Sequence, residues 1–135
     1  MNALSNAGRR KAHAMLGLGL LCCALAARAG GDPQAGQRAF RKLCASCHQV
    51  GPSAGAAFGP QLNGLFGRRA GTTPDYSYSS AMKNAGLVWD EASLRRFLKS
   101  PDALVPGTRM RFWGLGLDDK LDDLLAYLRS VPQEQ

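Results

Sequence analysis

The chain has 135 residues, enough for one domain, and it carries 17 Lys and Arg against 10 Asp and Glu, a formal charge of +7. Part of that charge lies in residues 1–29, where Arg9, Arg10, Lys11 and Arg28 occur without an acidic residue. The remaining chain has a formal charge of about +3 and no segment that combines basic and aromatic residues. This pattern is not that of a nucleic-acid-binding protein.

Residues 1–29 have the pattern of an export signal. A basic segment at 9–11 precedes an apolar segment at 15–27, and a small-x-small cleavage site ends at Ala29. The apolar segment is shorter than the roughly 20 residues that a membrane-spanning helix needs. We therefore expect a cleaved signal peptide over 1–29, a domain over 30–135 and a periplasmic location. A retained N-terminal anchor is the alternative.

The remaining chain begins with a predicted helix that leads into a cysteine motif. Asp32 and Pro33 supply an N-cap and an N1 proline, and apolar residues follow at helical spacing. The helix ends in Cys44-Ala45-Ser46-Cys47-His48, the C-x-x-C-H attachment signature of a c-type haem. Positions i, i+3 and i+4 share one helical face, so two thiols can join one porphyrin while the imidazole reaches its iron.

Two other interpretations of this motif are a thioredoxin-like redox pair and half of a zinc site. A redox pair is expected at the start of a helix that follows a strand, and a zinc site needs about four nitrogen or sulfur ligands. Neither context accompanies Cys44 and Cys47 in the sequence. The motif therefore favours haem.

Beyond the motif, loops alternate with short predicted helices. Residues 51–71 are rich in glycine and proline, and we expect an ordered loop that buries its large apolar residues, Phe58, Leu62, Leu65 and Phe66. Helices are predicted at 79–85 and from Asp90 to about Lys99. A last helix is predicted to begin near Asp118, with an apolar stripe formed by Leu121, Leu124, Leu125 and Leu128. Ser100-Pro101 is expected to end the second of these. The sequence thus predicts a small all-α domain.

Few residues outside the leader can ligate a haem iron. His48 is the only histidine in residues 30–135, and Met82 and Met110 are the only methionines. Met82 lies in a predicted helix, where methionine commonly packs in the core. Met110 follows a Pro-Gly turn that can present its side chain inward. We expect His48 and Met110 as the axial ligands, a pair that suits electron transfer.

From Gly31 to about Val131 the chain resembles the class I c-type cytochromes of the mitochondrial and bacterial cytochrome c2 type. Besides the haem motif, the matching segments are Gly36-x-x-x-Phe40, Gly59-Pro60-Gln61-Leu62-Asn63-Gly64-Leu65-Phe66-Gly67-Arg68, Tyr76-Ser77-Tyr78-Ser79, Trp89, Pro106-Gly107-Thr108-Arg109-Met110 and Leu124-Leu125-Ala126-Tyr127-Leu128. The resemblance implies a cytochrome c fold, an all-α domain wrapped around one covalently attached haem c.

The resemblance also implies roles for residues outside the haem motif. Gly36 would permit a close crossing of the first and last helices, with Phe40 and Tyr127 packed at the contact. The Pro60 carbonyl would accept the proton on the second ring nitrogen of His48, which orients the ligand. Hydrogen-bond donors around the haem propionates would come from Arg68, Tyr78, Ser79 and Trp89, with Thr108 as a further member.

Several positions depart from the family's pattern. Phe97 stands where the mitochondrial proteins have a tyrosine beside the methionine sulfur, and Met82 stands where they have an asparagine. Typical basic positions around the haem edge are not basic here, namely Leu43, Ala57, Asp102 and Ala103. We therefore expect weak steering toward an acidic partner. Arg109, Arg111 and Trp113 indicate a more apolar docking surface, although Trp113 fits a core position equally well.

We therefore expect a monomeric electron carrier, not an enzyme, that binds no nucleic acid. Its partners would be exported or membrane-bound redox proteins, such as a cytochrome bc1-type donor and an oxidase or peroxidase acceptor. Two alternatives remain from the sequence. One is a haem enzyme or gas sensor with a labile sixth ligand, and the other is a haem-free thiol oxidoreductase that uses Cys44 and Cys47.

Overall fold

The computed structural model describes residues 30–112 and 118–132, and its regular elements are five helices. These are α1 (Pro33–Leu43), α2 (Ser80–Lys83), α3 (Glu91–Lys99), α4 (Pro101–Leu104) and α5 (Asp118–Ser130). In the described ranges, β pairing is limited to one isolated antiparallel bridge between Arg69 and Val88. The prediction of an all-α domain is confirmed. The predicted signal peptide and Trp113 lie outside the described residues.

Helix α1 has the predicted start and carries the cysteine motif at its end. The Asp32 side chain accepts a hydrogen bond from the Gln34 backbone N–H at 2.9 Å, and Pro33 occupies the first turn. Cys44 is the C-cap, and its N–H donates to Phe40 O at 2.8 Å. The His48 N–H donates to Cys44 O at 2.9 Å, so one further turn holds the motif together.

Helices α1 and α5 cross at close range, as the resemblance implies. A Cβ added at Gly36 would overlap the backbone carbonyl of Asp123 and lie 2.7 Å from Tyr127 Cβ. The Phe40 and Tyr127 rings pack beside this point with centroids 5.6 Å apart. The Asp32 N–H also donates to Asp123 Oδ1 at 2.6 Å. The crossing fixes the start of α1 against α5.

The shorter helices differ in part from the prediction. Helix α3 begins after Asp90 as predicted, and Asp90 and Ser93 form a reciprocal capping box. Helix α2 ends at Lys83, two residues before the predicted limit. Helix α4 is not among the predicted elements, because a proline after Ser100 predicts only the end of the preceding helix. Proline also suits the first position of a new helix, where its missing N–H is not needed.

The long loop 51–71 is ordered against the helices, but one part of its prediction is wrong. Leu65 is buried, and Leu62 and Phe66 are half-buried. Phe58, which was expected to be buried, is 87% exposed. The adjacent Gly59 occupies the buried position against the His48 ring, and the Phe58 carbonyl accepts a hydrogen bond from Tyr76 Oη at 3.0 Å. These contacts fix the backbone and leave the Phe58 ring in solvent.

Two helices and the long loop meet at a charged contact on the surface. Arg129 of α5 donates to Glu91 of α3 at 2.8 Å, and its guanidinium lies over the Phe66 ring at 4.3 Å from the centroid. Because these side chains are half exposed, each contact contributes little to stability, on the order of 1 kcal/mol or less.

No helix in the ranges that the structure describes is long and apolar enough to cross a membrane.

Candidate functional site

A cavity of about 510 Å³ lies between α1, α3, α5 and the connecting loops. Its volume is in the range of sites that hold a small molecule or cofactor. The residues singled out from the sequence all line this one cavity, and they are Cys44, Cys47, His48, Pro60, Arg68, Tyr78, Ser79, Trp89, Thr108 and Met110. Residues far apart in the chain are thus brought to a single site.

The two thiols lie on the turn that follows α1. Cys44 is half-buried and Cys47 is exposed, and both are free. Burial, and to a smaller extent the neighbouring Cys47, raises the pKa of the Cys44 thiol to about 11. Cys44 is therefore a neutral thiol at physiological pH rather than a thiolate, in contrast to the low pKa of a typical catalytic redox cysteine.

The ring of His48 is held in one orientation. Nδ1 lies 2.8 Å from the carbonyl oxygen of Pro60. Because a carbonyl can only accept, Nδ1 carries the proton and Nε2 keeps its lone pair. Gly59 packs directly on the ring, where any Cβ would overlap it. Burial lowers the pKa of His48, against a smaller raising effect of the Pro60 hydrogen bond, so the neutral imidazole is favoured. This is the state in which histidine ligates a metal.

Met110 lies on the loop that follows α4, and this loop is tied to its surroundings. The Thr108 N–H donates to Val105 O at 2.9 Å, and the Met110 N–H lies 3.3 Å from Thr108 Oγ1. The Arg109 guanidinium donates to Ser77 O at 2.9 Å across the chain. Met110 is half-buried at the cavity. These contacts fix the loop that presents the Met110 thioether.

The second methionine of the cavity belongs to the core. Met82 is 7% exposed and lies on α2, packed among the buried apolar residues. Its backbone N–H donates to Ser79 Oγ at 3.1 Å, which fixes the start of that short helix. Both methionines line the cavity, but Met82 does so from a helix and Met110 from a loop.

A group of polar side chains forms one wall of the cavity. Arg68 donates through Nη1 to Asn63 O and through Nη2 to Gln61 O, each at 3.0 Å. Burial lowers the pKa of Arg68, although the guanidinium stays charged at any physiological pH. Tyr78 Oη donates to Thr73 Oγ1 at 2.8 Å. A cation and hydroxyl groups in a half-buried wall are suited to bind carboxylates.

Ser79, Trp89 and Thr108 belong to the same cavity lining. Ser79 Oγ serves as the acceptor at the start of α2, which leaves its hydroxyl hydrogen available as a donor. Trp89 is 7% exposed and packs on Phe97 with ring centroids 5.0 Å apart. Thr108 is 2% exposed beside Met110. Each of them can point a donor at a ligand in the cavity without entering solvent.

The remaining walls are apolar, and they include residues that the sequence did not assign to the site. Leu94 and Phe97 come from α3, and Leu124 and Leu128 come from α5. The sequence identified them as apolar helix faces but gave no sign that the faces border a cavity rather than close on each other. Tyr76 also lines the cavity and makes an edge contact with Tyr78, with ring centroids 4.8 Å apart.

The donor set fits one haem. The thiols of Cys44 and Cys47 and the oriented imidazole of His48 lie close together, as covalent attachment of a haem requires. Met110 lines the same cavity, and the apolar walls suit a flat porphyrin. Among the described residues that line the cavity, the charged ones are Arg68, Arg109 and Arg111. Their positive charge matches a ligand that carries carboxylates.

The sequence was also compared with known proteins. The model of a family described as cytochrome c matches residues 33–132. Cytochrome c2 from Rhodomicrobium vannielii is 47% identical over 117 residues, which cover 87% of this chain and 92% of the relative. Cytochrome c from Cannabis sativa is 48% identical over 100 residues, or 74% of this chain and 90% of the relative. Cytochrome c-550 from Bradyrhizobium diazoefficiens is 43% identical over 100 residues, or 74% of this chain and 73% of the relative. The range matched by the family includes every residue that lines the cavity.

Proposed function

The chain belongs to the cytochrome c family, and from that premise we propose how its residues hold and use the haem. It is a class I c-type cytochrome, an electron-transfer protein with covalently attached haem c. Cys44 and Cys47 would hold the haem through two thioether links, and His48 and Met110 would ligate its iron. The observation that carries this assignment is the single cavity lined by all four side chains.

The haem supplies the redox chemistry, in which its iron takes up and releases one electron. The protein's residues set the conditions for that step. Pro60 holds the proton on Nδ1 of His48, which keeps Nε2 directed as a ligand and strengthens it. The thioether of Met110 would be the second protein ligand of the iron and would favour its reduced state. The apolar walls from α3 and α5 would exclude water from the haem, which also raises the reduction potential of its iron.

The polar wall binds the haem propionates. Arg68, Ser79, Trp89 and Thr108 would supply donors to two carboxylates in a partly apolar cavity, and Tyr78 would join them by turning its hydroxyl away from Thr73 Oγ1. A carboxylate in such surroundings requires charged or hydrogen-bonding partners, because its transfer from water is otherwise unfavourable. Arg68 is the one cation in this set, and its two bonds to loop carbonyls hold it in position.

The protein works outside the cytoplasm as a monomer. Residues 1–29 direct export and are removed, and haem is then attached to 30–135 while both thiols are accessible. Electrons arrive from a cytochrome bc1-type complex and leave to an oxidase or a peroxidase. The relatives lend no support to a haem enzyme or a gas sensor as the function of this chain.

Mass spectrometry of the exported protein in its native form tests this proposal, together with voltammetry of the same sample. We expect a chain that begins at Gly30 and carries one haem through both Cys44 and Cys47, with one reversible one-electron wave. A product with two bare thiols, or with a disulfide between them, would contradict the attachment. A product that retains residues 1–29 would contradict only the cleaved leader.

A further inference from the structure

Asn63 is a buried polar residue that lies behind the cavity wall and does not line the cavity itself. It is 8% exposed. Its side-chain Oδ1 accepts from the Gly51 N–H at 2.7 Å, and its Nδ2 donates to Gly51 O at 2.9 Å. A buried amide whose donor and acceptor are both bonded to one partner is held in a single orientation. Asn63 is therefore a fixed point in the long loop.

The two bonds to Gly51 require an amide side chain. An amide carries a donor and an acceptor side by side, whereas a carboxylate only accepts and an apolar side chain does neither. The bonds lie next to the backbone bond from the Leu62 N–H to Gln49 O, at 2.9 Å, and extend the pairing of these two segments. The Asn63 side chain thus joins the backbone that follows the haem motif to the middle of the loop.

The backbone of Asn63 holds the guanidinium of Arg68. Asn63 O accepts from Arg68 Nη1 and Gln61 O accepts from Nη2, each at 3.0 Å. Gln61 Oε1 also accepts from the Asn63 N–H at 2.7 Å, which fixes the two carbonyls relative to each other. At its other end, Arg68 O accepts from the Trp89 N–H at 2.9 Å. Both ends of Arg68 are therefore fixed.

A fixed guanidinium is suited to bind a carboxylate in the cavity. In the described parts of the chain, the carbonyls use two of the five N–H donors of Arg68, and the others are available to a ligand in the cavity that Arg68 lines. A ligand that meets an ordered arginine does not have to order it. The fixed position also keeps the distance between the cation and the carboxylate constant, and that distance sets their attraction.

We propose that Asn63 is the positioning residue for Arg68 and thereby raises the reduction potential of the protein. Its side-chain bonds to Gly51 fix the loop carbonyls that hold the guanidinium toward the haem carboxylates. This inference rests on the proposed function, because it needs Arg68 to bind the propionates. A cation held there offsets their negative charge, which otherwise stabilises the oxidised iron.

A second route from Asn63 to the iron would pass through His48. The bonds to Gly51 also close the loop that contains Pro60, the acceptor for His48 Nδ1. The structure favours the route through Arg68, because Asn63 O bonds its guanidinium directly. The part of the loop beside the imidazole is held by a separate bond, since the N–H that follows the exposed Phe58 donates to the backbone of the haem motif at 2.8 Å.

The test is a double-mutant cycle on the reduction potential of the haem-loaded protein, measured by voltammetry. It compares wild type, Asn63→Ala, Arg68→Gln and the variant with both changes. Asn63→Ala should lower the equilibrium constant for reduction of the haem about threefold, because the cation is no longer held in place. Arg68→Gln should lower it at least as much. Adding Asn63→Ala to Arg68→Gln should leave it unchanged.

Gln49→Ala is the matched control in the same loop. The side-chain amide of Gln49 also bonds a backbone N–H, that of Gly55 at 3.0 Å, but this bond involves neither Arg68 nor its carbonyl partners. Gln49→Ala should keep the wild-type potential. NMR of the reduced protein gives a second readout, the exchange of the Arg68 guanidinium protons with water. It should be about fivefold faster in Asn63→Ala than in wild type, and unchanged in Gln49→Ala.

Three outcomes would overturn the inference. They are an Asn63→Ala potential equal to wild type, an equal shift from Asn63→Ala with and without Arg68, and Arg68 protons that exchange no faster in Asn63→Ala. The second would show that Asn63 acts through His48. Should Asn63→Ala not fold, Asn63→Ser takes its place and the same outcomes decide, because a hydroxyl makes at most one of the two bonds to Gly51 at a time.

Failure of the proposed function looks different. Wild type would then give no haem wave in voltammetry, or Arg68→Gln would keep the wild-type potential, whereas the Arg68 protons would still exchange faster in Asn63→Ala. Either result overturns the role of Arg68 toward the propionates, and the inference with it, but not the hydrogen bonds between Asn63 and Arg68.

Discussion

The state of His48 follows from its burial and from two contacts with residues that lie within a dozen positions of it in the chain. Pro60 O accepts from Nδ1, Gly59 packs on the ring, and burial lowers the pKa of the imidazole. Burial favours the neutral ring over a smaller raising effect of the Pro60 hydrogen bond on the pKa, and that hydrogen bond keeps the proton on Nδ1, so the lone pair of Nε2 is free to bind a metal. The motif Gly59-Pro60 is therefore as much part of the site as the cysteines.

Asp90 provides a prediction of pH dependence at a single residue. Hydrogen bonds from the Ser93 backbone and side chain lower the pKa of Asp90 from its ordinary value of 3.8. A lowered pKa means that the carboxylate stabilises the folded state above pH 3.8 and that this contribution is lost as the pH falls through the folded-state pKa. Asn also caps helices well, so Asp90→Asn should unfold at the wild-type temperature at neutral pH and lose less stability in acid.

Thermal unfolding at about pH 7 and about pH 3 measures this difference. Asp90→Ala is the control, since it loses the cap acceptor and should melt a few degrees lower at neutral pH. An equal loss of melting temperature in acid for wild type and Asp90→Asn would contradict the prediction.

The polar residues singled out from the sequence line the cavity, but not all of their hydrogen bonds were predictable. The hydrogen bond of His48 to Pro60 was expected from the family resemblance and is present. The bonds of Arg68 to the carbonyls of Gln61 and Asn63 were not expected, because they depend on how the loop folds back. Phe58 was wrongly expected to be buried, since hydrophobicity alone does not reveal that Gly59 occupies the inner position.

At the level of elements, the crossing of α1 and α5 determines the position of the cysteine motif. Gly36 allows the two backbones to approach, and the Phe40 and Tyr127 rings pack next to it. Because Cys44 follows α1 directly and Leu124 and Leu128 come from α5, both helices contribute walls of the cavity. A change in the crossing would move the thiols relative to these walls.

Gly36→Ala tests the crossing. In a free helix this change would stabilise by about 1 kcal/mol. Here the new Cβ would overlap Asp123 O and approach Tyr127 Cβ, and overpacking of a core costs about 1–3 kcal/mol. The overlap involves backbone, which cannot rotate away, so we expect the upper end of that cost and a net loss of about 2 kcal/mol.

The free energy of unfolding in guanidinium chloride measures this effect, with Gln37→Ala as the control on the exposed side of the same helix. Gln37→Ala should leave stability equal or slightly higher. An increase in stability for Gly36→Ala similar to that of the control would show that the helices do not cross as closely as described.

Helix boundaries were predictable where capping residues mark them. Asp32 and Asp90 identified the starts of α1 and α3, and both capping hydrogen bonds are present. Helix α4 was missed because a proline both ends one helix and starts another, and the sequence does not show which of these occurs. Helix α2 is shorter than predicted because Ser79 caps it while Asn84 already leaves the helical conformation.

On the scale of the whole molecule, the cofactor takes the place of a conventional core. Large buried side chains such as Leu94, Phe97, Leu124 and Leu128 face the cavity of about 510 Å³. The cavity opens to solvent, so without the cofactor water would fill the centre of the domain, where a close-packed core is normally required. The net stability of a domain is only about 5–15 kcal/mol, so a missing core is enough to prevent folding.

The chain should therefore not fold without haem. A Cys44→Ser, Cys47→Ser double variant from which haem has been extracted should lose most of its helical circular dichroism at 25 °C, and its denaturant unfolding should lack a cooperative transition. The same variant with haem bound non-covalently is the control and should be helical. A cooperative transition in the haem-free variant would show that the protein alone forms the core.

The most direct test of the account concerns the sixth ligand of the iron. Near-infrared magnetic circular dichroism of the oxidised protein reports the axial ligand pair, and it can be compared for wild type, Met110→Ala and Met82→Leu. We predict a histidine–methionine signal for wild type and Met82→Leu, and its loss in Met110→Ala with the haem still covalently attached. A Met110→Ala spectrum equal to wild type, or loss of the signal in Met82→Leu alone, would contradict the account.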